Sequence, residues 1–504
     1  LIVPGLVVKR YYRGLPKGQQ PCTLFSGLSP DCKYKIFEHN VDTMIRTITE
    51  RAEYVPDKIN GGFTKTPTVD PVKFNKAMKP FKRAIARHIR FSTRMDALKY
   101  VSYYKGPKYQ MYERARVSLL EEGLVEKDYR VSFFLKTELY AKDTANRLIS
   151  PMSARYNLEL GRYIKVIEKQ LYKDIDKVFG GKTVFKSMNP LETGIAIKEM
   201  FDEFNDPVAR SGDAVRFDVH VHKYALKHEF SVYKRYFPND TYLDFLLKKQ
   251  IKYKGHAYFH DGKITYDKEG NRISGAVNTA SGNVLLMCSM IYNLWTHICT
   301  KYNRPDFKLR LGDAGDDFFI VCERKDGWMI DETIETYLYE LGFTVTMETP
   351  IDIIEQLEFC QTHPVWTPEG YLMVRIPQKA IAKDSISVKP LINEKNARSW
   401  AQCVGQGGLS LTGGIPVWQE FYKTMERYGK GAKCWKDGKN MQTGLFWMAR
   451  NMNRKERDVH PETRISFHKA FNIPVHWQLS IEEFYKSFNI GVDTNLNRYT
   501  PIFG

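Results

Sequence analysis

The stretch Leu309-Arg310-Leu311-Gly312-Asp313-Ala314-Gly315-Asp316-Asp317-Phe318-Phe319-Ile320-Val321 decides how the rest of the chain is read. Two short apolar runs, Leu309 to Leu311 and Phe318 to Val321, flank a turn, the pattern of a buried β-hairpin. Gly315 supplies the φ > 0 conformation that such a turn needs. Asp316 and Asp317 then stand side by side next to a core strand. At about 4 Å and an effective dielectric near 20, two such charges repel by roughly 4 kcal/mol. A divalent cation reverses that sign, and carboxylate oxygens suit a hard ion such as Mg²⁺ or Mn²⁺. Gly-Asp-Asp alone is a weak motif, because an exposed Asp-rich turn has the same letters.

Working outward, a second carboxylate pair lies in Ser211-Gly-Asp213-Ala-Val-Arg-Phe-Asp218. Residues 208–215 read as a strand that ends near Asp213, and 221–236 as a helix, so Asp218 precedes a helix and could serve only as its N-cap. A third pattern is Ser274-Gly275-Ala-Val-Asn-Thr279-Ala-Ser-Gly-Asn283. Here a flexible loop leads into a helix over 282–298, with Thr279 and Asn283 on one face at i, i+4. Small polar groups there can hydrogen-bond a ribose hydroxyl. The three patterns follow one another at intervals of 61 and 42 residues from Asp213 to Ser274 to Asp316.

In this order the patterns resemble the palm of a template-dependent nucleic-acid polymerase. The chain as a whole resembles the viral RNA-dependent RNA polymerases, and among them the tombusvirus-like plus-strand group. Lys136-Thr-Glu-Leu-Tyr-Ala-Lys142, the 147–168 segment, the 357–384 segment and Gly408 to Tyr422 are similar to that group's fingers, post-palm hairpin and thumb. The resemblance runs from about 100 to 425. It departs from the family pattern at Asp313, Met152 and Ala276.

The resemblance implies an α+β fold shaped as a right hand, with fingers, a palm of antiparallel sheet plus helices, and a mainly helical thumb. The boundaries expected are 1–60 for an N-terminal extension or fingertip, 61–205 and 226–270 for fingers, 206–225 and 271–384 for palm, and 385–504 for thumb. It implies that Asp213, Asp316 and Asp317 are catalytic and hold two Mg²⁺ or Mn²⁺ ions. Asp218, Ser274, Gly275, Thr279 and Asn283 would read the nucleotide and its ribose. Lys136, Lys142, Arg147 and Arg155 would hold the triphosphate, since guanidinium forks fit phosphate oxygens. Cys360 would face the primer or product strand. The implied partners are RNA template and product, NTPs and a viral replication accessory protein, acting in the host cytoplasm on membrane-associated replication complexes. A monomer or weak oligomer is expected. Two rivals share these residues: a reverse transcriptase, and a non-catalytic RNA-binding replication accessory protein.

Composition sets the outer limits. The 504 residues carry 76 Lys and Arg against 58 Asp and Glu, a net charge of +18, with 43% hydrophobic residues. That mixture excludes a disordered basic tail and favours a polyanionic partner. The length fits one interlocked hand. Basic runs at Lys79–Arg90 and Lys423–Arg457, the latter with Trp435, Phe446 and Trp447, are candidate nucleic-acid grips or simply solvated helix faces. The eight Cys lack any Cys-x-x-Cys pair and read as free thiols of a reducing compartment. Gly180-Gly-Lys-Thr183 lacks the upstream Gly of a P-loop. No apolar run reaches the ~20 residues of a membrane span. The chain starts at Leu1, which suggests a fragment, a processed chain or a readthrough product.

Overall fold

The computed structural model describes residues 1–11, 23–29, 34, 36–388, 391, 393–433 and 445–491. The hairpin expected from the opening stretch forms as Leu309–Asp313 and Asp317–Glu323, paired antiparallel with Leu311 opposite Ile320. Pro207–Ala214 joins on the far side of the second strand, and Val345–Met347 closes the sheet. Side chains alternate across it, as the two-residue period requires. Leu309, Leu311, Phe318 and Ile320 enter one core, while Ala209, Phe319 and Val321 enter another.

The first core is covered by Thr279–Lys301. This helix is apolar on most faces, and Val284, Leu285, Met287, Ile291, Leu294 and Ile298 are buried, the signature of a helix inside a domain rather than on it. Gly327–Glu340 packs beside it, and Ala154–Phe179 runs through the same core. The latter starts at the Ser153 cap and stops at Gly180, whose φ of +77° ends the helix in the left-handed region.

A second four-stranded sheet is ordered Leu6–Arg10, Gly262–Glu269, Lys252–Phe259 and Val131–Ser132. The N-terminal residues are thus woven into a distant hairpin. Farther along, Thr23–Leu24 pairs with Ile386–Ser387, and Phe25 stacks on Trp400 at 5.0 Å. The same N-terminal segment therefore touches both the first core and a separate C-terminal one. That core gathers Glu394–Thr412, Trp418–Gly429, Pro461–Phe471 and Val475–Ser487, beside the hairpin Thr362–Thr367 and Gly370–Arg375.

Residues 71–130 are not one continuous helix. They break into Pro71–Ala77, Lys79–Ala86, Ala97–Ser102 and Gly106–Glu121, three of which carry Pro in the first turn, where its missing N–H costs nothing. In the Lys79–Arg90 run, Phe81 and Ile85 are buried while Lys79, Arg83, Arg87 and Arg90 point to solvent. The Lys423–Arg457 run is less free than its charge suggests. Lys423 meets Glu420 and Glu456, and buried Arg454 donates to the Gly413 carbonyl and faces Glu369. Trp435 and the side chains of Phe446 and Trp447 lie outside the described residues.

Candidate active site

The carboxylates meet through strand register. Asp213 lies directly opposite Asp317 on neighbouring antiparallel strands, and Thr346 flanks Asp213 from the other side. Asp316 occupies the turn, where the Ala314 N–H donates to the Asp317 carbonyl at 3.0 Å and Gly315 takes φ +113°. Three carboxylates are thus brought to one sheet end by a hairpin and a strand terminus. Burial and then Asp316 push the Asp213 carboxyl up. Asp317 is pushed to about 6 by burial, then by Asp316 and Asp213. Burial leads in both shifts, and the neighbouring like charges add to it.

Among the described residues no three His, Cys, Asp or Glu side chains gather closely enough to enclose an ion. The donors are nonetheless all hard oxygens whose repulsion a divalent cation would relieve, so the residues fit such an ion. Two cations already stand near. Lys58 reaches in from the turn after Val55–Pro56 to donate to the Thr346 hydroxyl, and it lowers the Asp213 carboxyl. Lys186 donates to the Ala314 carbonyl at 3.2 Å and acts on Asp317. Neither belongs to a recognisable motif, and no local sequence signal beyond positive charge marks them.

Asp313 is a different kind of carboxyl. It is fully buried, accepts from the Cys288 thiol at 3.6 Å, and burial pushes it well above the carboxylate range. Its backbone pairs with Thr183 and Phe185, so the Gly180–Thr183 stretch ends a helix and extends a sheet edge. A side chain on Gly181 would collide with the Arg310 guanidinium.

Beside the carboxylates lies a polar group of another character. Asp218 sits in the short helix Phe217–His220, half-buried. Asn283 donates to it from Nδ2 to Oδ1 at 3.2 Å, and an added side chain at Gly315 would lie 3.4 Å from Asn283 Cβ. The expected ribose readers therefore adjoin the Gly-Asp-Asp turn. Burial pushes Asp218 up, while Arg272 and Asn283 oppose it. Thr279 does not join them. Its hydroxyl bonds the carbonyls of Ile273 and Ala276 and closes the Ser-Gly loop. Ser274 accepts from the Ser150 N–H at 3.0 Å, and Gly275 presses against Pro151 so closely that a Cβ would come within 2.5 Å of its Cα. The loop is thereby fastened to the segment that carries Arg147.

That segment is a hairpin-like excursion between the paired strands Phe134–Leu135 and Leu148–Ile149. Lys136, Lys142 and Arg147 all belong to it. Lys136 and Arg147 share Glu138, and Arg147 acts on Asp218. Arg155 is not brought to this group. Its guanidinium bonds Asp128, the Ser118 hydroxyl and the carbonyls of Glu122 and Gly123, tying its helix to Gly106–Glu121. Residues the patterns missed include Arg51 and Arg216, which crowd the same side. Arg216 takes φ +48°, and burial followed by Arg51 lowers it to about 10. Cys360 lies on a left-handed turn at φ +51°, supported by Phe359 packed on Phe319 at 5.0 Å, and its thiol is near enough to oppose the rise of Asp317.

The three neighbouring histidines hold ordinary structural bonds: His220 to the Arg216 carbonyl and Thr344, His222 to the Leu341 carbonyl, His228 to Ser289.

The chain is 36% identical over 495 residues to the RNA-directed RNA polymerase of Tobacco necrosis virus (strain A), covering 97% of this chain and 67% of that one. It is 35% identical over 467 residues to that of Maize chlorotic mottle virus, covering 92% and 48%. It is 36% identical over 469 residues to that of Carnation mottle virus, covering 92% and 59%. The chain thus spans about half to two thirds of the length of these relatives. The family described as viral RNA dependent RNA polymerase matches residues 9–493, and the chain belongs to that family.

Proposed function

We propose that the chain is the catalytic portion of an RNA-directed RNA polymerase, which copies an RNA template from NTPs and releases pyrophosphate. The observation that carries this reading is the register that sets Asp213 against Asp317, with Asp316 at the turn and the Asp218–Asn283 pair adjoining it. In this reading the four-stranded sheet and its helices are the palm, at 206–225 and 271–384. The fingers take 61–205 and 226–270, with 1–60 as the fingertip, and 385–504 form the thumb.

Asp213, Asp316 and Asp317 would hold two Mg²⁺ or Mn²⁺ ions, which lower the pKa of the RNA 3′-hydroxyl and neutralise the departing pyrophosphate. The protein's own part is positioning and electrostatics. Lys136, Lys142 and Arg147 bind the triphosphate of the incoming nucleotide. Asp218 and Asn283 bind its ribose, the Asn283 helix being entered through the loop fastened at Ser274, Gly275 and Thr279. Cys360 borders the 3′ end of the product strand. Base pairing to the template supplies the sequence, and the basic surface holds the phosphodiester backbones. No helix among the described residues is long and apolar enough to cross a membrane, so recruitment to host membranes would need a partner protein or a segment beyond the described residues.

Primer extension tests the reading. Purified chain, RNA template, Mg²⁺ or Mn²⁺ and NTPs should give template-directed incorporation that Asp316→Ala abolishes and dNTPs do not match. Absence of incorporation on primed and unprimed templates, or equal activity in the variant, overturns it.

A further inference from the structure

Asn283 poses a problem of direction. An amide side chain has one accepting and one donating end, and only the donating end suits a carboxylate such as Asp218. Turned over, Asn283 would set oxygen against oxygen. What fixes the amide is Arg272, whose Nε–H donates to Asn283 Oδ1 at 2.8 Å. A guanidinium has no accepting atom, so this bond allows a single orientation, with Nδ2 on Asp218.

Arg272 is itself held from behind. Its Nη2 meets Glu229 Oε2 at 2.6 Å, with the two side chains 1% and 0% exposed. The other Glu229 oxygen accepts from Asn278 Nδ2 at 2.9 Å, and Asn278 exchanges hydrogen bonds with Gln250. The backbone agrees, because the Arg272 N–H donates to the Asp218 carbonyl at 2.8 Å. Room for the ion pair comes from Gly282. A Cβ there would stand 2.4 Å from Glu229 Oε1 and 2.6 Å from Arg272 Nη2. The glycine one residue before Asn283 is thus explained by what passes behind the helix. Asn283 occupies one oxygen of Asp218, and among the described residues no hydrogen bond engages the other.

We propose that Glu229 and Arg272 are positioning residues for sugar selection, a buried relay that fixes the Asn283 amide so that Asp218 is presented to the ribose 2′-hydroxyl. The proposal rests on the polymerase reading above. Neither relay residue touches the nucleotide. They act through Asn283, and their loss frees the amide to rotate.

The test is a discrimination ratio rather than an activity. Full-length Arg272→Lys and Glu229→Gln are compared with wild type for kcat/KM with an NTP, the matching 2′-deoxy-NTP and, as control, the 3′-deoxy-NTP. Lysine keeps the charge but cannot fork between Asn283 and Glu229. The expected result is a fall of about tenfold or more in the ribo-to-2′-deoxy ratio, with the ribo-to-3′-deoxy ratio unchanged. A merely structural pair would lower all three substrates together. If those variants do not fold, Asn278→Ser, which loosens Glu229 without removing a charge, should show a smaller shift in the same direction. An unchanged 2′-deoxy ratio in active variants overturns the relay alone. A wild type that incorporates no nucleotide overturns the polymerase reading and the relay with it.

Discussion

Two acidic groups lie side by side at this site and are built in opposite ways. Asp213, Asp316 and Asp317 stand at one sheet end, where burial and then Asp316 raise the Asp213 and Asp317 carboxyls despite the nearby Lys58 and Lys186. Asp218 and Glu229 are held through hydrogen bonds of Asn283, Arg272, Asn278 and Gln250 and through the Arg272–Glu229 ion pair. On the proposed reading, the first group is left electrostatically unfinished until cations bind it. The second is held in position by its own neighbours, with one Asp218 oxygen left open. On the same reading, the contrast separates chemistry from selection. A reacting centre gains from groups whose cost is relieved only on binding, whereas a sugar-reading centre gains from groups that cannot rearrange.

The sharpest way to break the comparison is at Asp213. Replacing it with Asn keeps the shape and removes one charge. Activity should fall by about a thousandfold or more, since electrostatic stabilisation is the main contribution of such sites, while the melting temperature holds or rises. Primer extension and a thermal melt on the same preparation check both, and a variant within tenfold of wild type would contradict the assignment. The mirror experiment is Glu229→Leu. It strands Arg272 as a buried unpaired cation and should cost about 3–5 kcal/mol of stability. Urea unfolding measures it, and a loss under about 1 kcal/mol would mean that the pair is not truly buried. Gly282→Ala should come next, at about 1–3 kcal/mol, because a methyl group intrudes on the same ion pair.

The two groups also differed in how far the sequence disclosed them. Gly315, Asp316 and Asp317 were readable because turn chemistry, apolar flanks and adjacent charges sit within one hairpin. Asp213 became readable by its place at a strand end. Half of the second group was hidden. Asp218 and Asn283 stood out, but Thr279, one turn before Asn283 on the same helix face, spends its hydroxyl on loop carbonyls instead. Glu229 and Arg272 are 43 positions apart and meet only when a helix and a loop pack across Gly282. Lys58 and Lys186 arrive from remote turns with no pattern of their own. Arg155 looked like its neighbours in charge yet serves helix packing, because Asp128 and two free carbonyls at a helix end claim it first. Sequence patterns reveal groups that are local or that sit at predictable element ends. They miss groups defined by what packs behind them.

The smallest expected effect is the most discriminating, because its sign is opposite to that of Glu229→Leu. The folded protein holds Asp317 at about 6, against 3.8 for an unperturbed carboxyl. A raised value means that folding favours the protonated form. The stabilising contribution is therefore whole below the unperturbed value, shrinks across the interval to about 6, and is absent at neutral pH. Above that interval the ionised Asp317 is a cost of about 1–2 kcal/mol, allowing for solvent screening of a partly exposed group. Asp317→Asn removes the cost. In chelator-containing buffer near pH 8 the variant should be more stable than wild type by about that amount, and the gain should vanish near pH 4. Adding Mg²⁺ or Mn²⁺ should then raise the melting temperature of wild type more than that of the variant, since binding to the folded state stabilises it by mass action. Urea unfolding at the two pH values, with and without metal, reads all of this without reference to activity. A variant less stable than wild type near pH 8 would mean that Asp317 is already paired within the protein, and the division between an uncompensated and a pre-positioned acidic group would dissolve.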